Sequence, residues 1–416
     1  GAQGSTTAPT LFVPTGPPLA TGKSKYLGCA YSTAQAPNFG AYWNSTTPEN
    51  GGKWGSVENT RGTYNWAEAD AAYAQAVATG GPFRFHTLIW GTQQPTWLTT
   101  SNLTDAEKLA AINTWFQAIA THFQGKRIDF IDVVNEPTHQ PPTGTSGADG
   151  GGYLNALGGS GTTGWDWVIT SFRLARQYFP TAKLMLNEYS VENEPNRAAT
   201  YITIANLLKD RGLIDAIGIQ GHSFSLAPTS SASIRSNMAT LAAANLPLYI
   251  TEFDLDGATD AQQLADYQRI FPLFWENPAV QGITMWGYRP GHWRTAQGAP
   301  LVNDDNTERP SLAWLRTYVQ STVLGTKAAS AATAGVFLYP NPAAGGRVSL
   351  NLPASLSQQA IGVSLLNALG QTVFQQTLAP STEANRALAL PGVARGLYTV
   401  RLQTSAGALS QRLTVE

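Results

Sequence analysis

Cysteine is nearly absent: Cys29 is the only one in 416 residues, so no intrachain disulfide can form. Between Leu27-Gly28 and Ala30-Tyr31 it reads as a small buried hydrophobe rather than a nucleophile. Charge is scarce as well. Charged residues make up 13% of the chain and the net charge is −1, which leaves a surface rich in Ser, Thr, Asn, Gln and Gly and suits an extracellular protein. No basic run exceeds two residues, which removes the electrostatic footprint that nucleic acid or an anionic membrane surface requires. No stretch of about 18 apolar residues occurs, so no membrane insertion is expected. His86, His122, His139, His222 and His292 never fall at metal-ligand spacing on a helix, and neither a metal nor a cofactor is expected. Residues 1–24 are rich in Pro, Gly and Thr without a hydrophobic signal core. They are expected to form a flexible N-terminal segment of a mature chain whose targeting segment has been removed.

What the chain does have is alternation. Apolar, strand-like runs occur at 26–32, 41–46, 82–90, 128–134, 183–189, 215–221, 247–253 and 281–287. Between them lie segments with apolar spacing near 3.6, the clearest at 66–77, 105–123, 165–179, 198–209, 233–244, 261–275 and 312–319. Asp105 and Ser233 are candidate helix starts, and Gly80 and Gly212 stand where helices would stop. Strands alternating with helices in this number predict an α/β fold, a (β/α)8 TIM barrel over residues 25–320. An open doubly wound sheet is the alternative, but no glycine-rich phosphate loop follows its first strand.

Two of the strand runs end alike. Ile128 to Val134 closes on Asn135-Glu136-Pro137, and Leu248-Tyr249-Ile250-Thr251 closes on Glu252-Phe253-Asp254. In a barrel both glutamates would reach the C-terminal face, where such folds keep their chemistry. Two facing carboxyl groups are the minimum equipment of a glycoside hydrolase: one protonates the leaving oxygen, and the other attacks the anomeric carbon or activates water. Either glutamate alone is more simply a solvated loop carboxylate. Neutral sugars also need amide hydrogen-bonders beside aromatic platforms, and the 12 tryptophans can supply the latter. Trp43, Trp54, Trp97, Trp115 and Trp275 are expected to be core or packing residues instead. His122 is expected to be structural or exposed, and His139 either lines the leaving-group side or has no role.

These residues carry a resemblance. Residues 25–320 resemble the glycoside hydrolase family 10 endo-β-1,4-xylanases, whose D-V-V-N-E segment is matched by Asp132 to Glu136 and whose I-T-E-x-D segment by Ile250, Thr251, Glu252 and Asp254. The family's E-N-x-x-K-W appears as Glu49, Asn50, Lys53 and Trp54, and its H-T-L-x-W as His86, Thr87, Leu88 and Trp90, with Gln93 following. Asn187 and Tyr189 match N-D-Y, and Gln220 and His222 match Q-x-H. The resemblance implies Glu136 as acid/base and Glu252 as nucleophile of a retaining enzyme that cleaves internal β-1,4 bonds of xylan. It implies that Glu49, Asn50 and Lys53 hydrogen-bond the sugar on the non-reducing side and that Asn135 meets its 2-hydroxyl. His222 would bridge Glu252 and Asp254, and Trp286 and Trp293 would wall the subsites. A β-1,4-glucanase, an enzyme for decorated xylan and a non-catalytic polysaccharide-binding barrel are the alternatives. Gly91, Ile131 and Tyr288-Arg289-Pro290 depart from the family's pattern, where a second histidine, a tryptophan and an Asp-containing segment often stand. The loop 138–164 is expected to shape the leaving-group side or to form a surface insertion.

After residue 320 the composition shifts. Residues 321–335 are small and polar and read as a linker, and 336–416 carry short alternating runs that predict a small all-β, sandwich-like domain. It holds Arg347, Arg386, Arg395, Arg401 and Arg412 against Glu383 and Glu416, too little charge to suggest a polyanionic partner. It contains no tryptophan, which argues against a carbohydrate-binding module. Its Leu338-Tyr339-Pro340-Asn341-Pro342, Leu366-Asn367-Ala368-Leu369-Gly370-Gln371 and Gly396-Leu397-Tyr398-Thr399-Val400 segments resemble the sorting domains that direct Bacteroidetes proteins to type IX secretion. The resemblance implies secretion machinery as a partner and a secreted or cell-surface location.

Overall fold

Eight parallel strands carry the first part of the chain: β1 (Tyr26–Tyr31), β2 (Thr46–Pro48), β3 (Arg84–Ile89), β4 (Phe130–Asn135), β5 (Lys183–Glu188), β6 (Ala216–Ile219), β7 (Leu248–Phe253) and β8 (Val280–Met285). The computed structural model describes residues 14, 16–99, 102–143, 152–322, 329–330, 335–344, 346–367, 371–404 and 407–416. The strands pair in the order β2-β1-β8-β7-β6-β5-β4-β3, and a single parallel bridge between Thr46 and Phe83 brings the two ends together. Backbone donation from Thr46 N–H to the Pro82 carbonyl (3.0 Å) reinforces that seam. The result is the (β/α)8 barrel the alternation predicts. Most of its strands are buried along their whole length, as strands covered on both faces must be.

Helices close the outer layer at Ala67–Thr79, Asp105–His122, Asp166–Tyr178, Pro195–Lys209, Ser231–Ala242, Asp260–Trp275 and Pro310–Ser321. Their ends follow local chemistry. Thr104 caps the second of these helices in a reciprocal box with Glu107, and Gly80 ends the first at φ 68°. Ser233 proves not to be the cap of its helix; Ser230 is, accepting the Ser233 N–H. The displaced strand is β2. Residues 39–41 of the region 39–46 form a short 3-10 turn, and the strand begins at Thr46. Tyr42 and Trp43, whose apolar character suggests a strand at 41–46, are buried because both rings pack on Tyr288 (5.5 and 5.4 Å). Within the segment 1–24 expected to be flexible, Leu19 and Ala20 belong to the barrel's core, and Leu19 N–H donates to the Tyr42 carbonyl (2.9 Å). Their apolar side chains cover the barrel; residues 1–13 and 15 lie outside the described residues.

The barrel interior holds a charge. Arg84, 1% exposed, donates to Asp132 Oδ2 (2.9 Å), to Thr47 Oγ1 (3.1 Å) and to the Thr251 carbonyl (2.7 Å). His86 Nδ1 meets the same Asp132 Oδ2 at 2.8 Å. Side chains of β3 thereby tie β2, β4 and β7 together at the depth of the site.

Residues 325–416 form a second compact unit. A three-stranded sheet orders as β10 (Phe337–Tyr339), β11 (Arg347–Asn351) and β14 (Asn385–Ala389). A five-stranded sheet orders as β13 (Thr372–Leu378), β12 (Ile361–Leu366), β15 (Gly396–Thr404), β16 (Gly407–Val415) and β9 (Ala329–Ser330). All pairings are antiparallel except β16 with β9. Alternate residues such as Ile361, Val363 and Leu365, or Tyr398, Val400 and Leu402, point into one shared core. Most of the expected linker 321–335 lies outside the described residues.

Removing one partner of a buried ion pair leaves the other charge uncompensated. Arg84→Met is expected to destabilise the barrel by about 3–5 kcal/mol in urea unfolding. A loss within about 1 kcal/mol would show that Asp132 does not depend on this arginine.

Candidate active site

A cleft of about 510 Å³ opens at the C-terminal ends of the strands, lined by residues within β3, β4 and β7 and by residues that follow β2, β3, β4, β5, β6 and β8. Of the residues predicted from sequence, Glu49, Asn50, Lys53, His86, Trp90, Gln93, Asn135, Glu136, Tyr189, Gln220, His222, Glu252, Trp286 and Trp293 all line it. Asn187 and Asp254 lie beneath, buried, in contact with cleft residues.

Glu136 leaves the end of β4 with φ 54°, a left-handed backbone that non-glycine residues adopt at a cost of about 1–3 kcal/mol. Its Oε1 accepts from Gln220 Nε2 (2.9 Å) and Asn135 Nδ2 (3.3 Å), and its Oε2 from Trp90 Nε1 (3.0 Å). At the end of β7, Glu252 Oε1 accepts from Asn187 Nδ2 (2.6 Å) and Oε2 meets His222 Nε2 at 3.3 Å. The other ring nitrogen of His222 meets Asp254 Oδ2 at 2.9 Å, so His222 spans the two carboxylates. Asn187 Nδ2 also donates to Asn135 Oδ1 (2.8 Å), which joins the two glutamates through a relay of paired amides.

The two carboxyl groups are driven apart electrostatically. Burial raises Glu136, the negative charges of Glu188 and Glu252 add to that, and the bonds from Gln220 and Trp90 only partly oppose it; the group is pushed up to about 7. Burial also acts to raise Glu252, but the bond from His222 and the charges of His86, His222 and, least of these, Arg84 outweigh it and bring the group down to about 2. Burial works against a charged His222, yet Asp254 and Glu252 raise it to about 10, so it is a cation held between two anions. Near neutral pH one carboxyl group keeps its proton and the other is ionised. That is the division of labour that acid and nucleophile require. Lys53, over the face of Trp90 (5.1 Å) and bonded to Asn50 Oδ1 (2.8 Å), is lowered by burial while Glu252, Glu49 and Glu136 hold its charge.

Aromatic rings wall the cleft. Trp293 is 49% exposed, and its indole N–H donates to Asp254 Oδ2 (3.1 Å). Phe224, 43% exposed, stands among Tyr189 (5.7 Å), His222 (5.4 Å) and Trp293 (6.4 Å). Phe224 was not foreseen: it lies in a short helix, Ser223–Leu226, with no strand end to mark it. Trp43, Trp54, Trp115 and Trp275 are buried in the core as expected, and Trp97 is partly buried against it. His122 stacks on Trp66 (4.4 Å) and bonds Asp70, a structural place. Among the described residues, no group of three or more His, Cys, Asp or Glu stands in an arrangement that could hold a metal ion.

The departures from pattern have local reasons. A Cβ on Gly91 would lie 2.3 Å from the Gln140 carbonyl, so the turn after β4 can close against β3 only with glycine there. Ile131 is buried in the core and does not reach the cleft. Gln35 pins the 288–290 segment, accepting from the Tyr288 and Arg289 N–H groups (2.8 Å each) and donating to the Arg289 carbonyl (3.0 Å). Of the loop 138–164, residues 144–151 lie outside the described residues. Tyr153, beyond them, is fully buried and donates its hydroxyl to the Trp90 carbonyl (2.7 Å).

A barrel with two oppositely tuned carboxyl groups among amides and exposed aromatic rings is the site of a carbohydrate-cleaving enzyme. The chain belongs to glycosyl hydrolase family 10, whose profile matches residues 19–318. This is a family of endo-1,4-β-xylanases, retaining enzymes that act on internal bonds of xylan. The chain is 37% identical to endo-1,4-beta-xylanase B of Cellvibrio japonicus over 297 residues, covering 70% of this chain but only 45% of that protein. It is 32% identical to endo-1,4-beta-xylanase A of Fusarium oxysporum, covering 64% of this chain and 84% of that one. Among solved structures, xylanase 10B of Thermotoga maritima superposes with a TM-score of 0.60 at 26% identity, over 73% of this chain and 97% of that one. A family 10 structure from Paenibacillus barcinonensis gives 0.63 at 25% identity, over 74% and 99%. Residues 337–416 match the secretion system C-terminal sorting domain, which implies a secreted or cell-surface protein.

Glu136 has a folded value raised above the unfolded one, so the native state holds its proton where the unfolded chain has released it. That contribution to stability is lost as pH rises from the ordinary glutamate range to about 7. Glu136→Gln is therefore expected to be more stable than the parent by about 1–3 kcal/mol at pH 8 and to lose most of that advantage at pH 4. Equal differences at both pH values in urea unfolding would contradict the raised value.

Proposed function

We propose that the protein is a retaining endo-β-1,4-xylanase, with Glu136 as acid/base and Glu252 as nucleophile. The observation that carries the reading is the opposite tuning of these two carboxyl groups at the ends of β4 and β7. Glu252, ionised, attacks the anomeric carbon while Glu136 gives its proton to the leaving oxygen. Once the leaving sugar departs, Glu136 is ionised; it takes a proton from water, whose oxygen bonds to the anomeric carbon as the bond to Glu252 breaks and releases its carboxylate. His222, charged and anchored by Asp254, keeps Glu252 ionised before attack and stabilises it as a leaving group afterwards.

The cleft's donors supply the rest. Asn135 faces the 2-hydroxyl of the sugar at the reacting position. Glu49, Asn50 and Lys53 bind the neighbouring sugar on the non-reducing side, with His86, Gln93 and Gln220 completing the polar lining. Trp286 and Trp293 stack on sugar faces, and Tyr189 stands on the leaving-group side. Xylan is the proposed substrate, in keeping with the names of the relatives. The sorting domain is proposed to engage secretion machinery of type IX.

Proton NMR of the first products from xylan is expected to show the β-anomer before mutarotation; α-anomer first would overturn retention. Glu136→Ala is expected to lower kcat/KM on xylan by about 10²–10⁴-fold and much less on an aryl xylobioside whose leaving group needs no proton. Preference for cellulose over xylan would overturn the substrate.

A further inference from the structure

Glu188, the last residue of β5, is fully buried, and the mechanism above gives it no task. Its Oε2 accepts from Thr138 N–H (2.9 Å) and Thr138 Oγ1 (2.7 Å). Its Oε1 accepts from Tyr189 N–H (2.9 Å) and meets His139 Nδ1 at 2.7 Å. Three of these four partners thus lie two or three residues beyond Glu136, in the turn that leaves β4. The same turn is tied to Glu136 from the other side, since the Glu136 carbonyl accepts from the N–H groups of His139 (3.2 Å) and Gln140 (2.8 Å). Glu136 sits there at φ 54°, a conformation that persists only where its surroundings over-determine it. The His139 ring is in turn stacked on Tyr189 at 3.6 Å, which lines the cleft.

We propose that Glu188 is a positioning residue for the acid: it clamps the Thr138-His139 turn so that Glu136 keeps its left-handed backbone, and it sets a fixed negative charge behind that carboxyl. The inference rests on Glu136 being the acid. The clamp is made of groups that would otherwise be loose at a strand end, and a carboxylate with no exposure needs just such a set of donors. The charge is the counterweight to Gln220 and Trp90, whose bonds favour the ionised form of Glu136. The titratable and charged groups facing Glu136 are Glu188, Glu252, Lys53 and Tyr189. Those facing Glu188 are Glu136, His139, Tyr189, Glu192 and Tyr201. Of the anions near Glu136, Glu252 cannot be altered without removing the nucleophile, so Glu188 is where the acid can be tuned separately.

The test is kcat/KM against pH for the full chain, on a xylo-oligosaccharide and on a dinitrophenyl xylobioside. Glu188→Gln is expected to move the alkaline limb on the oligosaccharide to lower pH by about half to one unit. On the activated substrate at pH 8 it is expected to lose less than about twofold. Glu188→Asp keeps the charge and shortens the clamp; it is expected to leave the limb in place and lower kcat on the oligosaccharide. Should Glu188→Gln fail to fold, His139→Phe keeps a ring on Tyr189 and removes the Nδ1 partner, and its limb is expected to move to higher pH. A limb at the parent position in the folded Glu188→Gln or His139→Phe variant overturns the proposal, as does an equal loss on both substrates at every pH. Full activity of Glu136→Gln on the oligosaccharide would instead sink the assignment of the acid beneath it.

Discussion

A guanidinium inside a barrel is costly, and the upper part of this barrel is arranged around one. Arg84 reaches across the interior from β3 to Asp132 on β4, Thr47 on β2 and the Thr251 carbonyl on β7. The last contact is one residue from Glu252, whose ionisation Arg84 also favours. The face of Trp286 lies 5.9 Å from the same guanidinium, and His86 shares its carboxylate partner. An apolar core would hold the strands equally well. What the ion pair adds is a set of oriented polar groups beneath the cleft, among them a guanidinium whose charge favours the ionised form of Glu252.

The two glutamates fall into different electrical surroundings although both are buried. Glu252 has a charged histidine and the arginine near it; Glu136 has amide and indole donors and two anions. Asn135 and Asn187 link the two, so neither carboxyl group can turn without disturbing the other's partner. The arrangement is rigid where the chemistry needs fixed dipoles. The cleft is open where Trp293 and Phe224 stand exposed. Backbone strain at Glu136 and buried charge at Arg84 are stability costs borne at the site, offset by the large apolar core around it.

Much of this was legible in the chain. The apolar runs that end in Asn135-Glu136 and Thr251-Glu252 located β4 and β7, because strand burial and a sudden polar end are both written in side-chain type. The remaining cleft residues were legible through motif order. Three features were not. The β2 strand slipped because Tyr42 and Trp43 owe their burial to a ring on a distant segment, Tyr288, rather than to a pleat. Phe224 gave no signal, since an aromatic residue in a short helix away from any strand end reads the same whether it is core or platform. The contact of His139 with Glu188 and Tyr189 joins elements about fifty residues apart and appears only when β4 and β5 lie side by side. Tertiary pairing, not periodicity, decides such residues.

The claim on which the account turns is that Glu252 is the ionised group that forms a bond to the sugar. Incubation with a 2-deoxy-2-fluoro-xylobioside bearing an activated leaving group, followed by proteolysis and peptide mass spectrometry, tests it most directly. The account predicts a single adduct on the peptide containing Glu252 and inactivation in step with its formation. An adduct on Glu136, or turnover with no covalent species and inverted products, would contradict it.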